Sequence, residues 1–435
     1  MKKILLILLI AVNAAAAQQP DYKSIATKIF ENIRKRDFST ASELFDTDFA
    51  SRLDSARLKT AWDKLLTLSG PFVKVLETTL DHQPNFDVVI QHAQFENKKI
   101  DFKVVFGTNQ KVKGVSFLPG EPREIYKLPS YYNKDSIVEV RIPLKMGPMN
   151  LPGILTAPNR KGKFPVVIFV HGTGPNDKDE SVGATKIFKD IAIGLAENGI
   201  ASYRLDKRTR VQRASTIKQK NFTVKDETLD DVTLAVETLK SDSLVDSTAI
   251  FICGHSFGGM LLPRIVQQTK GIKGLIYLAA NARKLEDVMM DQTIYMLALD
   301  TSGRDHTFLV DSIKRENAKI KALKPSSDDS TRLLFQTPSY WLDLQNYNAL
   351  NAALSINIPM LFMHGGRDYQ VTEVDFNMWK KTLSATKAEF KLYPSLNHFF
   401  IKGTEKSTPM EYNKSSNVDY DFIKDMSHWI LSVKK

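Results

Sequence analysis

The stretch Ala249-Ile250-Phe251-Ile252-Cys253-Gly254-His255-Ser256-Phe257-Gly258-Gly259-Met260-Leu261-Leu262 decides the reading of this chain. Its first five residues form an unbroken apolar run, as in a strand covered on both faces. Met260, Leu261 and Ile265 then follow at helical spacing. Between the two patterns lies a serine with a glycine two residues to either side. A strand that turns at once into a helix brings backbone against backbone, so the residues flanking the turn must be small. The serine hydroxyl is raised clear of such a turn, at the carboxyl edge of the sheet where open α/β folds bind ligands.

Working outward, further continuous apolar runs read as buried parallel strands: Val166–Val170, Ile200–Leu205, Leu275–Leu278, Met360–Met363 and Phe390–Tyr393. Helical stripes separate them, for example Ile187, Ile191 and Leu195, and Leu229, Val232, Val236 and Leu239. Val138–Ile142 alternates like a half-buried strand, and Asn150–Ala157 reads as another. Residues 135–435 are thus expected to form an α/β domain with a doubly wound, mostly parallel sheet. Residues 282–351 read as a mainly helical insertion carrying Met289, Tyr295, Tyr340 and Trp341.

A serine hydroxyl is a weak nucleophile until a base takes its proton, and the base needs a carboxylate to orient it. Met360–Met363 leads into His364-Gly365-Gly366-Arg367-Asp368, and Phe390–Tyr393 into Pro394-Ser395-Leu396-Asn397-His398. The candidate catalytic residues are therefore Ser256, Asp368 and His398, in that chain order. Asp343 and Asp375 are poorer candidates for the acid because neither follows a strand directly. Val166–Val170 ends in His171-Gly172-Thr173-Gly174-Pro175, where small residues let backbone N–H groups approach a substrate oxygen. The N–H groups of Thr173 (with Gly174 as the alternative) and Phe257 are the candidate oxyanion donors. His171, His255 and His364 flank motif glycines and suit loop-holding roles; His255 is also a candidate for substrate contact.

These motifs resemble the α/β-hydrolase superfamily. With the segment that precedes them, they resemble two-domain bacterial carboxylesterases of the EstD type. The likeness rests on His171–Pro175 with Asp177, Asp179 and Glu180 behind it, on Asp206-Lys207-Arg208, on Gly254–Gly259, on His364–Asp368 and on Asn397-His398. It implies an α/β-hydrolase fold with a helical cap, preceded by a small α+β, cystatin-like domain. It also implies hydrolysis of a small-molecule carboxylic ester through an acyl-enzyme on Ser256. The cap is then where Met289, Tyr295, Tyr340 and Trp341 would border the substrate, unless they merely pack cap onto core, while His255 would touch it from the serine turn. Phe257 departs from the smaller aliphatic residue common in the family, but only its N–H is needed. A peptidase or thioesterase of the same fold is the alternative enzyme, and a binding protein with a vestigial hydrolase domain the alternative of another class. No metal or organic cofactor is implied.

The remaining sequence supplies context. The chain has 435 residues, 43% hydrophobic and 25% charged, which excludes a disordered or collagenous chain. Its single cysteine, Cys253, excludes an internal disulfide. Residues 1–17 have the layout of a secretory signal peptide: Lys2 and Lys3, an apolar run, then Ala15-Ala16-Ala17. No cysteine follows for a lipid anchor, so a periplasmic or secreted protein is expected, without an integral membrane segment in the mature chain. Residues 20–119 read as helices followed by a strand meander, a small α+β domain. Its His82 and His92 stand isolated. Residues 120–134 read as a linker. The net charge is +11, yet no basic helix or aromatic ladder supports nucleic-acid binding. The basic run Arg204–Lys220 is expected to be a solvated loop, with Asp179 and Glu180 pairing Lys207 or Arg208 to brace the oxyanion loop.

Overall fold

A computed structural model describes residues 21–434, apart from 84–85, 108, 121–123, 148, 213–215, 217–218, 301–304, 328–331 and 335. The expected leader lies outside the described residues. The described chain divides into two compact units, one up to residue 120 and the other from residue 124 onward, with Gln83 assigned to the second.

The first unit begins with helices α1 (Tyr22–Arg34), α2 (Phe38–Ser42), α3 (Thr47–Arg52) and α4 (Ser55–Ser69). Each starts on an aspartate whose carboxylate accepts a backbone N–H of the first turn: Asp21, Asp37, Asp46 and Asp54. Such caps satisfy donors that the helix cannot. Strands β1 (Phe72–Gln83), β2 (Phe86–Phe95), β3 (Lys99–Gly107) and β4 (Val112–Pro119) follow as one sheet in that order. β2, β3 and β4 pair antiparallel. Ala26, Ile29, Phe30 and Ile33 of α1 meet Val89, Ala93, Phe95 and Phe102 in an apolar core. This is the α+β arrangement expected. His92 is not isolated, since its Nδ1 lies 2.6 Å from Asp101 on the neighbouring strand.

The second unit is built on eight strands: β5 (Ile137–Arg141), β6 (Gly153–Pro158), β7 (Phe164–Val170), β8 (Ala201–Leu205), β9 (Val245–His255), β10 (Ile272–Leu278), β11 (Met360–Gly365) and β12 (Ala388–Tyr393). Their order in space is β12-β11-β10-β9-β7-β8-β6-β5. Pairing is parallel from β12 through β8, and antiparallel where β6 joins β8 and β5 joins β6. All seven residues of β7 are buried, because helices cover both faces. Two apolar clusters, one per face, flank the sheet. Cys253 lies buried within β9. Its helices include α5 (Ile187–Glu197), α6 (Asp230–Lys240), α7 (Phe257–Gln268), α8 (Leu285–Ala298), α9 (Thr307–Lys321), α10 (Pro338–Gln345), α11 (Ala349–Ala353), α12 (Glu373–Thr382) and α13 (Tyr420–Lys434). α8 to α11 form the insertion between β10 and β11. Among the described residues no helix is long and apolar enough to cross a membrane.

The stretch expected to be a linker is, from residue 124, packed onto the second unit. Tyr126 donates to Asp190 Oδ1 on α5 (2.7 Å), and Tyr131 stacks on Tyr420 of α13 with ring centroids 4.7 Å apart. Tyr126 and Tyr131 thus supply a hydroxyl donor and an apolar face to this packing. Asp190 also accepts from Val418 N (2.9 Å) and from Asn417. Burial, offset in part by these donors, raises its carboxyl to about 6.

Candidate active site

β9 runs without a break into Ser256, whose backbone sits at φ +54°, ψ −122°. A non-glycine residue there is strained. The strain is held by the Ser256 N–H, which donates to Leu278 O at 2.8 Å, and by α7 starting at the next residue. The flanking glycines meet the steric demand inferred above. A Cβ on Gly254 would stand 2.5 Å from Gly258 O, and one on Gly258 would overlap the carbonyl oxygens of Val170 and His171. From Ala249 to Pro263, Ser256 is the sole residue that is not buried. Phe257 is the first residue of α7, so its N–H has no acceptor within the helix.

The loop after β7 lies beside this turn. A Cβ on Gly172 would come within 3.2 Å of both Ser256 Cβ and Glu180 Oε1. Gly172 N–H donates to Glu180 Oε1 (2.7 Å), and Lys207 Nζ donates to Gly172 O (3.0 Å). His171 Nε2 lies 2.9 Å from Asp177 O and so holds the same loop. Thr173 is exposed.

On the other side, the loops after β11 and β12 bring Asp368 and His398 together. His398 Nδ1 lies 2.5 Å from Asp368 Oδ2, and both residues are buried. The other oxygen, Asp368 Oδ1, accepts from the N–H groups of Gln370 (2.7 Å) and Val371 (3.0 Å). Asn397 shapes the turn that carries His398. Its Oδ1 accepts from Phe399 N and Ile401 N, and its Nδ2 donates to Glu411. Burial pulls the His398 imidazole below its ordinary value, and the nearby His255 lowers it further; Asp368 opposes both without reversing them. Neither rival carboxylate reaches this site. Asp343 forms a two-pronged pair with Arg264, and Asp375 binds Arg283 and the N–H groups of Ala282 and Arg283.

Several expected contacts fall differently. His255 is buried, with Nδ1 3.0 Å from Glu180 Oε2 and Nε2 3.1 Å from His398 O, which removes it from the substrate surface. With Glu180 ionised, both its partners are acceptors, so both ring nitrogens donate and the ring is an imidazolium. Burial alone would lower its pKa, but the Glu180 carboxylate reverses this and raises it. Burial likewise pushes the Glu180 carboxyl up, and the His255 cation overrides it, leaving it below its usual value. Tyr340 and Trp341 are buried too. Tyr340 donates to Glu227 Oε2 (2.5 Å) and Trp341 to Leu333 O (2.7 Å), so neither faces an open pocket. Met289 is half-buried against the main core, and Tyr295 donates to Ser407 O while stacking on Tyr369.

The basic run is not a solvated loop at its start. Arg204 is buried and paired with Asp179 and Glu139. Lys207 is buried and pairs with Glu227 (3.0 Å), while Arg208 binds both oxygens of Asp231. Asp179 and Glu180 therefore do not pair with Lys207 or Arg208, and Arg208 is committed inside the fold. Glu227 carried no sequence signal beyond its charge.

Residues 164–405 match a family described as serine aminopeptidase, S33, and residues 26–115 match a family of unknown function, DUF3887. The chain is 33% identical over 404 residues to Esterase EstD of Thermotoga maritima, covering 92% of this chain and 93% of that one. The chain belongs to the α/β-hydrolase family. Solved structures resemble it more distantly. Est1E from Butyrivibrio proteoclasticus aligns over 67% of this chain and 99% of its own, at 16% identity and TM-score 0.44. A Pyrococcus furiosus esterase aligns over 72% of this chain and 97% of its own, at 14% identity and TM-score 0.44.

Proposed function

We propose that this α/β-hydrolase cleaves small-molecule carboxylic esters through an acyl-enzyme on Ser256. The observation that carries the reading is a strained, half-exposed serine turn flanked by the Gly172 loop and by a hydrogen-bonded His398–Asp368 pair. With Nδ1–H donated to Asp368, the His398 tautomer leaves Nε2 free to accept the Ser256 proton. Ser256 Oγ attacks the ester carbonyl, and the Thr173 and Phe257 N–H groups receive the oxyanion. His398 returns the proton to the leaving alcohol, and water then cleaves the acyl-enzyme by the reverse sequence. The lowered imidazole keeps the base neutral into mildly acidic solution, so the acid limb of kcat/KM falls below the ordinary histidine value of about 6.5. The kinship with an esterase along most of both chains supports an ester over an amide. The leader pattern supports export, which N-terminal sequencing of the mature protein checks.

The test is mass spectrometry after exposure to a fluorophosphonate, beside turnover of p-nitrophenyl esters and aminoacyl p-nitroanilides. Covalent addition at Ser256, lost in His398→Ala, with ester turnover reduced around 10⁶-fold in Ser256→Ala, is the expected result. Faster cleavage of the anilides would shift the reading to a peptidase. Retained turnover in Ser256→Ala would reject the nucleophile.

A further inference from the structure

The Gly172–Thr173 peptide is held from one side by a buried ammonium group. Lys207 Nζ donates to Gly172 O at 3.0 Å, and Asn176 Nδ2 adds a longer contact of 3.3 Å to the same oxygen. Lys207 is 4% exposed and its partner Glu227 is 3% exposed. The second oxygen of Glu227 accepts from the hydroxyl of Tyr340, which stands on α10 in the insertion. A connected path therefore runs from the insertion, through Glu227 and Lys207, to the backbone beside Ser256.

A planar trans peptide points its C=O and its N–H in opposite directions. Fixing the Gly172 carbonyl on Lys207 therefore fixes where the Thr173 N–H points. The constraint matters because residue 172 is a glycine, with little steric resistance to rotation about ψ. A flipped peptide would replace the donor with a carbonyl oxygen, which repels an oxyanion. Burying an ammonium carries a desolvation cost that pairing repays only with good geometry; apolar packing would hold a merely structural position without that cost.

We propose that Lys207, backed by Glu227 and Tyr340, is a positioning residue that keeps the Thr173 N–H aimed at the oxyanion formed on attack by Ser256. This rests on the reading of Ser256 as nucleophile and Thr173 as donor. Lys207 touches no reacting atom; it acts through the peptide.

The experiment compares the wild type with Lys207→Met, with Lys207→Met/Glu227→Gln, which leaves no unpaired carboxylate, and with Tyr340→Phe, which keeps the ion pair. Readouts are kcat and KM for p-nitrophenyl esters, and Ki for a trifluoromethyl ketone, whose adduct carries the oxyanion. Lys207→Met and the double variant should lose about 10–100-fold in kcat, the range for losing a charge-assisted hydrogen bond, with KM little changed. The ketone Ki should rise by a similar factor. Tyr340→Phe should show the same split more weakly, and it carries the test alone if the other two do not fold. Foldable Lys207 variants with wild-type kcat and Ki would overturn the proposal, as would a loss confined to KM. If only Tyr340→Phe folds, an unchanged kcat and Ki in it would do so. A wild type that turns over no ester and forms no adduct would instead overturn the nucleophile reading, and this proposal with it.

Discussion

The two sides of Ser256 are braced by different physics. On the Gly172 side the loop leans on buried ions from distant parts of the chain. Glu180 meets His255 across 75 residues, and Lys207 reaches Gly172 across 35. On the His398 side the bracing is mostly local and built on backbone and amide groups. Asp368 collects the N–H groups two and three residues ahead, and Asn397 those two and four ahead. A local hydrogen bond needs only its own turn to form. A buried ion pair needs the whole sheet in place, and it fails badly when one partner is lost, because the other charge is left stranded.

The largest effect that would sharpen this contrast lies on the local side. Asp368→Asn should keep the loop hydrogen bonds to Oδ1 while presenting His398 with the wrong partner, and kcat should drop by about 10⁴ with the fold intact. Steady-state kinetics and circular dichroism check it; a loss below tenfold would mean that Asp368 does not set the tautomer. On the charged side, Glu180→Gln should act on stability. A single amide oxygen cannot serve both Gly172 N–H and His255, and His255 loses its counter-ion. Denaturant unfolding should show a loss of about 3–5 kcal/mol; a loss under 1 kcal/mol would break the comparison.

A smaller effect isolates the cation. Asp190 is a carboxylate as buried as Glu180, but its hydrogen-bond donors are all neutral, and its pKa moves the opposite way, to about 6. Its folded value lies above its unfolded one, so the native state binds the extra proton between the two. The stabilisation is complete below the unfolded carboxyl value and is lost as pH rises through about 6. Relative to Asp190→Asn, the wild type should lose about 2 kcal/mol between pH 4 and pH 7. Unfolding midpoints of both proteins across that range measure it, and parallel curves would refute it.

The same division explains what could be read in advance. The serine turn is legible because its glycines answer a steric demand confined to five residues. The parallel strands are legible because burial on both faces leaves an unbroken apolar run, and the loops bearing Asp368 and His398 because each follows such a run. The α+β character of the first unit shows in its periodicity, whereas its four aspartate caps are short-range signals that the apolar pattern passes over. Arg204, Lys207 and Arg208 misled because spacing counts charges and is blind to their partners; Glu139, Asp179, Glu227 and Asp231 come from three other segments. Tyr340 and Trp341 misled because composition suggests an adaptable surface without saying which way a helix turns it. Residues 120–134 read as a linker because the partners of Tyr126 and Tyr131, Asp190 and Tyr420, lie far along the chain.

Cys253 has a consequence of a different kind. It is fully buried in the strand that leads into Ser256, and burial pushes its thiol well above the ordinary value, so the thiolate that alkylating reagents require is scarce as well as shielded. With one cysteine in the sequence, uptake of such a reagent counts opening events of the central sheet and nothing else. The molecule thus contains its own clock for unfolding at the root of the nucleophile turn, and its surface is free of thiols that would compete with a dye placed there by design.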